Sequence, residues 1–179
     1  MITTTTYPTP IGLITLASDG ANLTGLWKEG QKYHGGTISG KVEAQTDLPI
    51  FRLTKIWLDR YFAGERPAIS ELPLNPMGGE FRQSVWNILC EIPYGKVTTY
   101  GEIAKRMSAK MNRTTMSSQA VGGAVGHNPI SIIIPCHRVV GANGNLTGYA
   151  GGIATKIKLL ELEGTDMSYL FAPQKGTAL

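Results

Sequence analysis

The sequence predicts an α/β protein in two parts: a small amino-terminal sheet-plus-helix domain over residues 1–75, then a mostly helical domain over residues 76–179 that holds a helix-turn-helix-like element. Three observations carry this expectation. A short alternating segment and a turn open the chain, as a β-hairpin requires. The stretch Arg66 to Gly79 contains three prolines and two glycines, the composition of a boundary. Beyond it, apolar residues recur at helical rather than alternating spacing. With 179 residues and 42% apolar content, the chain can bury one large core or two modest ones, so disorder is not expected.

The elements follow in order. Ile11 to Leu16 alternates loosely, Ser18-Asp19-Gly20 reads as a turn, and Asn22 to Trp27 supplies the partner strand. The Gly-rich stretch from Lys28 to Asp47 has no firm period. Pro49 opens a helix whose apolar positions are Phe51, Leu53, Ile56, Trp57, Leu58, Tyr61 and Phe62, and Gly64 ends it. In the second part Phe81, Val85, Ile88 and Leu89 share a helix face, closed by Glu91-Ile92-Pro93. Cys90 belongs to that pattern, which makes it a packed thiol.

Tyr94-Gly95-Lys96 is a turn. Thr99 stands three residues before Glu102, a capping-box spacing that opens a helix Tyr100 to Met107. A second helix runs from Ser117 or Ser118 to about Val125. The basic connector between the two, roughly nine residues, is longer than a tight helix-turn-helix turn. Ser117, Ser118, Ala120, Gly122, Gly123 and Ala124 make that second helix unusually small-sided, suited either to tight helix packing or to close approach of a nucleic-acid backbone. Ile132-Ile133-Ile134 reads as a buried strand, Gly141 to Asn145 as a tight loop, and Gly148 to Gly152 as a flexible segment able to lie over a pocket. Ile153, Ile157, Leu160 and Glu163 continue at helical spacing with Gly164 as the stop, and the tail from Thr165 looks weakly structured.

Charge is unevenly placed. Of a net +4, residues 1–75 hold seven Lys/Arg against seven Asp/Glu, and residues 76–179 hold ten against six. No acidic residue lies between Lys105 and Val140, a span that includes Arg106, Lys110 and Arg113. Such a field favours a polyanion such as DNA or RNA. Two cysteines 46 positions apart, with no secretory leader, do not form a disulfide framework. No apolar run has the length of a membrane span. The expected setting is therefore reducing and cytoplasmic, where a thiol stays free.

The chemistry concentrates in Pro135-Cys136-His137-Arg138-Val139-Val140, where a cysteine and an imidazole emerge together after the apolar run. A positive neighbour lowers a thiol pKa, and both His137 and Arg138 qualify. Adjacent residues on an extended strand point to opposite faces, so thiol and imidazole need either a bend near Pro135 or a bridging water. The imidazole in turn needs an orienting acceptor. Glu163, at the end of the last apolar stripe, is the candidate, although a solvated carboxylate is what that position ordinarily holds. A metal site of Cys136, His137 and His127 lacks further ligands at zinc spacing, so no metal is expected.

These motifs together resemble the O6-alkylguanine-DNA alkyltransferase family, also called methylated-DNA:protein-cysteine methyltransferases. The resemblance rests on Ile92-Pro93-Tyr94-Gly95-Lys96-Val97-Thr98-Thr99-Tyr100, Ala120-Val121-Gly122-Gly123-Ala124, Gly126-His127-Asn128-Pro129, Ile134-Pro135-Cys136-His137-Arg138-Val139, Gly148-Tyr149 and Leu159-Leu160-Glu161-Leu162-Glu163-Gly164. It covers residues 81 to 164 and is diffuse before residue 75.

The resemblance implies a single-turnover repair protein with a DNA-binding, alkyl-transfer domain. It would act on double-stranded DNA carrying O6-alkylguanine, with O4-alkylthymine as a further candidate, through the minor groove, as a monomer without a cofactor. Cys136 would accept the alkyl group, activated through a water by His137, which Glu163 orients. Tyr100 would donate toward guanine N3, and Asn128 would hold the active-site turn. The carbonyls of Cys136 and Val139 would receive the exocyclic amine beside Arg138. Tyr149 would flank the base, Ala150 and Lys156 would form lid and support, and Ala120, Gly122 and Gly123 would face the groove. Gln119 stands where the family commonly has an arginine finger, so it would fill the gap without charge. A cysteine hydrolase and a lesion sensor that binds without transfer are the alternatives.

Overall fold

The computed structural model describes residues 1–173. Contacts divide the chain into two compact units, Met1–Gly78 with Pro129–Ile133, and Gly79–Asn128 with the chain from Ile134 onward. The division after residue 75 expected from composition thus differs by three residues, and five residues from the second stretch join the first unit.

The first unit is a four-stranded sheet and a helix. Strands β1 (Ile2–Thr9), β2 (Gly12–Ser18), β3 (Leu23–Lys28) and β4 (Val42–Ala44) lie in the order β3-β2-β1-β4, with β4 parallel to β1 and the other pairs antiparallel. The expected hairpin is β2–β3. One face carries Ile14, Leu16 and Leu26, and Trp27 stands on the opposite face beside Gly25; all four large side chains are buried. Gly25 has no room for a side chain, because a Cβ there would lie 2.0 Å from the Trp27 ring. Helix α1 (Pro49–Phe62) buries Ile50, Phe51, Thr54, Trp57, Leu58 and Tyr61, a stripe at i, i+3 and i+4 spacing. Trp57 donates its indole N–H to the Ala68 carbonyl at 2.9 Å. Gly64, at φ 87°, supplies the left-handed turn that ends the helix.

The second unit packs four helices around a two-stranded ladder: α2 (Glu80–Cys90), α3 (Tyr100–Lys110), α4 (Ser118–Gly126), α5 (Ile153–Leu162), β5 (Thr98–Thr99) and β6 (Val139–Val140). Strands β5 and β6 pair in parallel, which sets the residue after the cysteine motif beside the start of α3. Thr99 caps α3 by accepting from the Glu102 N–H at 3.1 Å, and Ser117 caps α4 by accepting from Gln119 and Ala120. Trp86 ties α2 to α4, donating to the Ala124 carbonyl at 2.9 Å. A satellite cluster of Val140, Leu146 and Leu160 is covered by Val97, Ile153, Ile157, Met167 and Leu170.

Two expectations need correction here. Ile132-Ile133-Ile134 is buried but is a turn rather than a strand, with Ile132 at φ 72° and the Ile133 N–H bonded to the Ser131 carbonyl. The tail from Thr165 is also more ordered than its composition suggests. Leu146 donates to the Phe171 carbonyl at 2.8 Å and Phe171 donates to that of Gly144 at 3.0 Å. The remainder of that tail, 174–179, lies outside the described residues. Among the described residues no helix is long and apolar enough to cross a membrane.

Candidate active site

Pro135 breaks the preceding turn, and residues Cys136–Arg138 form one turn of 3-10 helix before the chain straightens into β6. This bend resolves the difficulty of two adjacent reactive side chains. Successive residues in a 3-10 turn diverge by about a third of a revolution instead of a half. His137 and Arg138 both turn toward Glu163, the C-cap of α5, whose position is fixed by Gly164 at φ 70°.

Glu163 is buried and its carboxylate is heavily used. His137 Nε2 lies 2.7 Å from Oε1, while Arg138 donates from Nε to Oε2 at 2.8 Å and from Nη2 to Oε1 at 2.9 Å. Arg138 also donates from Nη1 to the Ile92 carbonyl at 2.7 Å. Burial alone would raise the Glu163 pKa, but the hydrogen bonds and charges of His137 and Arg138 overcome it and hold the carboxyl well below the usual carboxylate range. The pair Arg138 and Glu163 thus closes as a cation and an anion.

His137 is wholly buried, and desolvation pulls its pKa down despite Glu163. The imidazole is therefore neutral near pH 7. With Nε2 donating to an ionised Glu163, the proton is assigned there and Nδ1 keeps its lone pair. Nδ1 is buried and accepts from no protein group among the described residues. A base with its orienting carboxylate is the result.

Cys136 is 6% exposed. Burial raises its pKa, while the Asn128 side-chain amide, the Lys156 charge and the backbone N–H groups of Cys136 and His137 pull it back. The thiol is thus the resting form, and donors already surround the sulfur for the moment charge appears on it. Asn128 also donates from Nδ2 to the Ile134 carbonyl at 2.7 Å, joining the two ends of the 129–133 segment. At Cys90 only the Arg138 charge pulls the thiol pKa down, and it is outweighed. Burial and the neighbouring Glu91 push the thiol up to about 11.

The residue types and their order match two family models along the chain. Residues 2–76 match the 6-O-methylguanine DNA methyltransferase ribonuclease-like domain, and residues 80–165 match the 6-O-methylguanine DNA methyltransferase DNA binding domain. The chain belongs to the 6-O-methylguanine DNA methyltransferase family. The Haemophilus influenzae methylated-DNA-protein-cysteine methyltransferase is 43% identical over 159 residues, covering 89% of this chain and 84% of that protein. The Methanosarcina acetivorans protein of the same name is 45% identical over 165 residues, 89% and 96% of the two chains. Among solved structures, Mycobacterium tuberculosis OGT in complex with DNA is similar at a TM-score of 0.77 and 43% identity, covering 90% of this chain and 92% of that one.

Within the methyltransferase fold the remaining expected residues divide. Tyr100, at the first turn of α3, donates its hydroxyl to the Thr147 carbonyl at 3.2 Å, with Gly148 O at 3.5 Å. Burial, with Cys136 nearby, raises its phenol, so the proton stays on oxygen. Lys156 is fully buried on α5 and donates to the carbonyls of Val139 and Thr147. Tyr149 is partly buried; burial raises its phenol pKa, and the Cys136 and Glu163 charges add to the rise. Its ring lies over Gly151, where a Cβ would come within 2.8 Å. Ala150 is half-buried beside it.

On α4, Gln119, Ala120 and Gly123 are exposed, and open space stands where Gly123 would carry a Cβ. Gly122 is different. It is buried, so it serves packing within the unit and not the exposed face on which it was expected. Arg138 is likewise directed at Glu163 and Ile92, which makes it a positioning group instead of a direct substrate contact. Sequence reasoning missed the Ile92 and Thr147 carbonyls. No side-chain signal marks a backbone acceptor. It read Gly95 only as a turn, yet at φ 78° its N–H faces Glu163 Oε2 at 3.5 Å, and a Cβ would meet the Glu163 carbonyl at 3.0 Å.

Proposed function

We propose that this protein repairs alkylated DNA by moving the alkyl group from O6 of guanine to the sulfur of Cys136, once per molecule. The observation that carries the reading is the His137–Glu163 pair beside a cysteine already ringed by donors. The thiol proton passes to the Nδ1 lone pair of His137 through a bridging water. The thiolate attacks the alkyl carbon, an S–C bond forms, and the C–O6 bond breaks. Guanine leaves with a proton taken up at N3 from the Tyr100 hydroxyl. The phenolate so formed is reprotonated, through water, by the proton that sulfur gave to His137, so one proton moves in net from sulfur to the base and both residues return to neutral. The thioether has no second activated thiol to receive the group, because Cys90 is held protonated.

The lesion must leave the base stack to reach a sulfur this buried. The exposed, small-sided face of α4 with Gln119 at its first turn supports approach through the minor groove, where Gln119 would fill the gap left by the flipped nucleotide. The Val139 and Cys136 carbonyls would read the exocyclic amine, and Tyr149 and Ala150 would flank the base. All of these groups come from one chain, which supports a monomer, and the chemistry needs a reduced thiol, which fits a cytoplasmic setting.

Incubation with duplex DNA carrying O6-methylguanine, followed by peptide mass analysis, tests the reading. One methyl group is expected on the Cys136 peptide and none on that of Cys90. An unmodified Cys136 peptide from folded, reduced protein would sink transfer and leave the lesion sensor. Cys136→Ser is expected to keep lesion binding and lose transfer, since a hydroxyl is far less nucleophilic than a thiolate at neutral pH.

A further inference from the structure

We infer that Ile132 is a positioning residue for the Cys136 sulfur, holding the chain in a strained turn that delivers the cysteine to the donors around it. The inference rests on Cys136 as the alkyl acceptor. Its basis is the backbone path from Ser131 to Cys136. The Ile133 N–H bonds the Ser131 carbonyl at 2.9 Å around Ile132 at φ 72°, a γ-turn of the rare, positive-φ kind. Three residues on, the Cys136 N–H bonds the Ile134 carbonyl at 2.8 Å around Pro135 at φ −82° and ψ 64°, a γ-turn of the common inverse kind. Two tight turns in succession thus lead into the nucleophile.

Both ends of this path are held. Upstream, Leu26 of β3 donates its N–H to the Pro129 carbonyl at 2.8 Å, and its carbonyl accepts from the Ser131 N–H at 3.0 Å. Downstream, the Ile134 carbonyl accepts from Asn128 Nδ2 at 2.7 Å as well as from Cys136. Ile132 and Ile133 alone lie between the fixed ends, and the reversal falls on Ile132. A positive φ is unfavourable for a side chain branched at Cβ and free of steric cost for glycine. Among the described residues the other non-glycines at positive φ are Tyr33, Asn112 and Asn143, all exposed and none branched at Cβ, whereas Ile132 is 1% exposed. Such strain persists only where the surroundings over-determine it, and it gathers at functional sites. Here the buried side chain and the two fixed ends supply that determination, so the turn does not relax and the cysteine does not drift.

A packing role alone makes the opposite forecast. At an ordinary core position alanine is more stable than glycine, because it fills more space and loses less backbone freedom on folding. At φ 72° the order reverses, since both lack the anchoring side chain and only alanine keeps the steric penalty. Alanine then gains by letting the turn relax, whereas glycine does not. Burial raises the Cys136 pKa, and among the groups that offset it are the Asn128 amide and the backbone N–H groups of Cys136 and His137. A relaxed turn carries the sulfur out of line with them.

The experiment compares Ile132→Gly with Ile132→Ala in the full chain. Three quantities are measured: the urea midpoint, single-turnover transfer from saturating duplex O6-methylguanine, and the pH profile of Cys136 alkylation by iodoacetamide, read on its peptide. The glycine variant is expected to have the higher midpoint, to transfer about tenfold faster and to react with iodoacetamide at lower pH. An alanine variant that is the more stable, transfers as fast or shows the same profile would overturn the inference. If the parent itself does not transfer, the repair reading fails, and the iodoacetamide profiles still decide the role of Ile132. Should neither variant fold, Ile132→Val and Ile133→Val decide, each dropping one methyl from a residue that is 1% exposed. Only the first weakens the anchor of the strained turn, so it is expected to transfer about threefold more slowly than the second. Equal rates for that pair would overturn the inference.

Discussion

Glu163 concentrates the chemistry of single residues, because one carboxylate that water does not reach answers both an imidazole and a guanidinium. Replacing it by glutamine removes the anion and leaves the Arg138 cation buried without its counter-charge, a loss of about 3–5 kcal/mol by analogy with broken buried pairs. The same change leaves the His137 tautomer unfixed, so transfer is expected to slow about 10²- to 10⁴-fold. Urea unfolding and single-turnover rates on Glu163→Gln check both figures. The pH dependence has a definite sign. A carboxyl whose folded pKa is depressed stabilises the fold above its unfolded value, and that stability is lost as pH falls through the acid range. Urea midpoints at pH 7 and pH 3 are expected to converge in Glu163→Gln more than in the parent. His137, with its pKa lowered, stays a competent base as pH falls to about 6.5, so the transfer rate is expected to hold level there. Cys136 and His137 were legible in the sequence because both are side chains of unusual chemistry in a compact motif, whereas Glu163, 26 residues beyond His137 at the end of an apolar stripe, reads by pattern alone as a solvated carboxylate. The carbonyls of Ile92 and Thr147 were not legible, because every residue has one and only the fold decides which is used.

Helices were the more readable elements, since α1 and α2 must bury a stripe and the 3.6-residue period is written in apolar side chains. Strand β1 hid in a threonine run. Thr3 and Thr5 are its buried positions, so its alternation is not one of apolar against polar. Strand β4 is exposed throughout and held by pairing alone. Ile132 to Ile134 misled for the converse reason: burial makes a run apolar without deciding its backbone. The carboxyl-terminal tail shows the same gap between composition and structure, and it is testable at Gly144. That glycine has φ 87°, and a Cβ there would lie 2.1 Å from the Tyr169 carbonyl. Gly144→Ala must strain the loop or detach the tail, and a loss of about 1–3 kcal/mol in thermal or urea unfolding is expected. Helix α4 yields a functional counterpart. Gln119→Ala is expected to slow repair of duplex more than of single-stranded DNA, because only the duplex leaves a stack gap and an orphan base. Equal proportional losses on the two substrates would assign Gln119 a packing role.

At the scale of the whole molecule, the net charge of +4 matters less than which cations are available to phosphate. Four basic residues line the end of α3 and its connector, and the structure separates them. Arg106 is paired with Glu91, and Lys105 stands 3.5 Å from Glu102, both at exposed positions. Lys110 and Arg113 have no carboxylate partner among the described residues. The connector that carries them is itself held, with Arg113 N–H bonded to the Ser108 carbonyl at 2.9 Å and the Ser108 hydroxyl to the Arg113 carbonyl at 3.1 Å. Exposed ion pairs are weak and can be exchanged for a phosphate, but the exchange exposes the abandoned carboxylate near DNA. Lys110 and Arg113 need no such exchange. Each phosphate contact contributes about 0.9 to the slope of log affinity against log salt. The double change Lys110→Ala with Arg113→Ala is therefore expected to lower that slope by about 1.8 on undamaged duplex, with transfer on saturating DNA little altered. Arg106→Ala should lower it by clearly less than one contact's worth, since its charge is already shared with Glu91. Fluorescence anisotropy titrations across a salt series measure all three. A full unit lost on removing Arg106, with the slope unchanged in the double variant, would move the phosphate contacts off the connector and onto the exposed end of the α2–α3 pair.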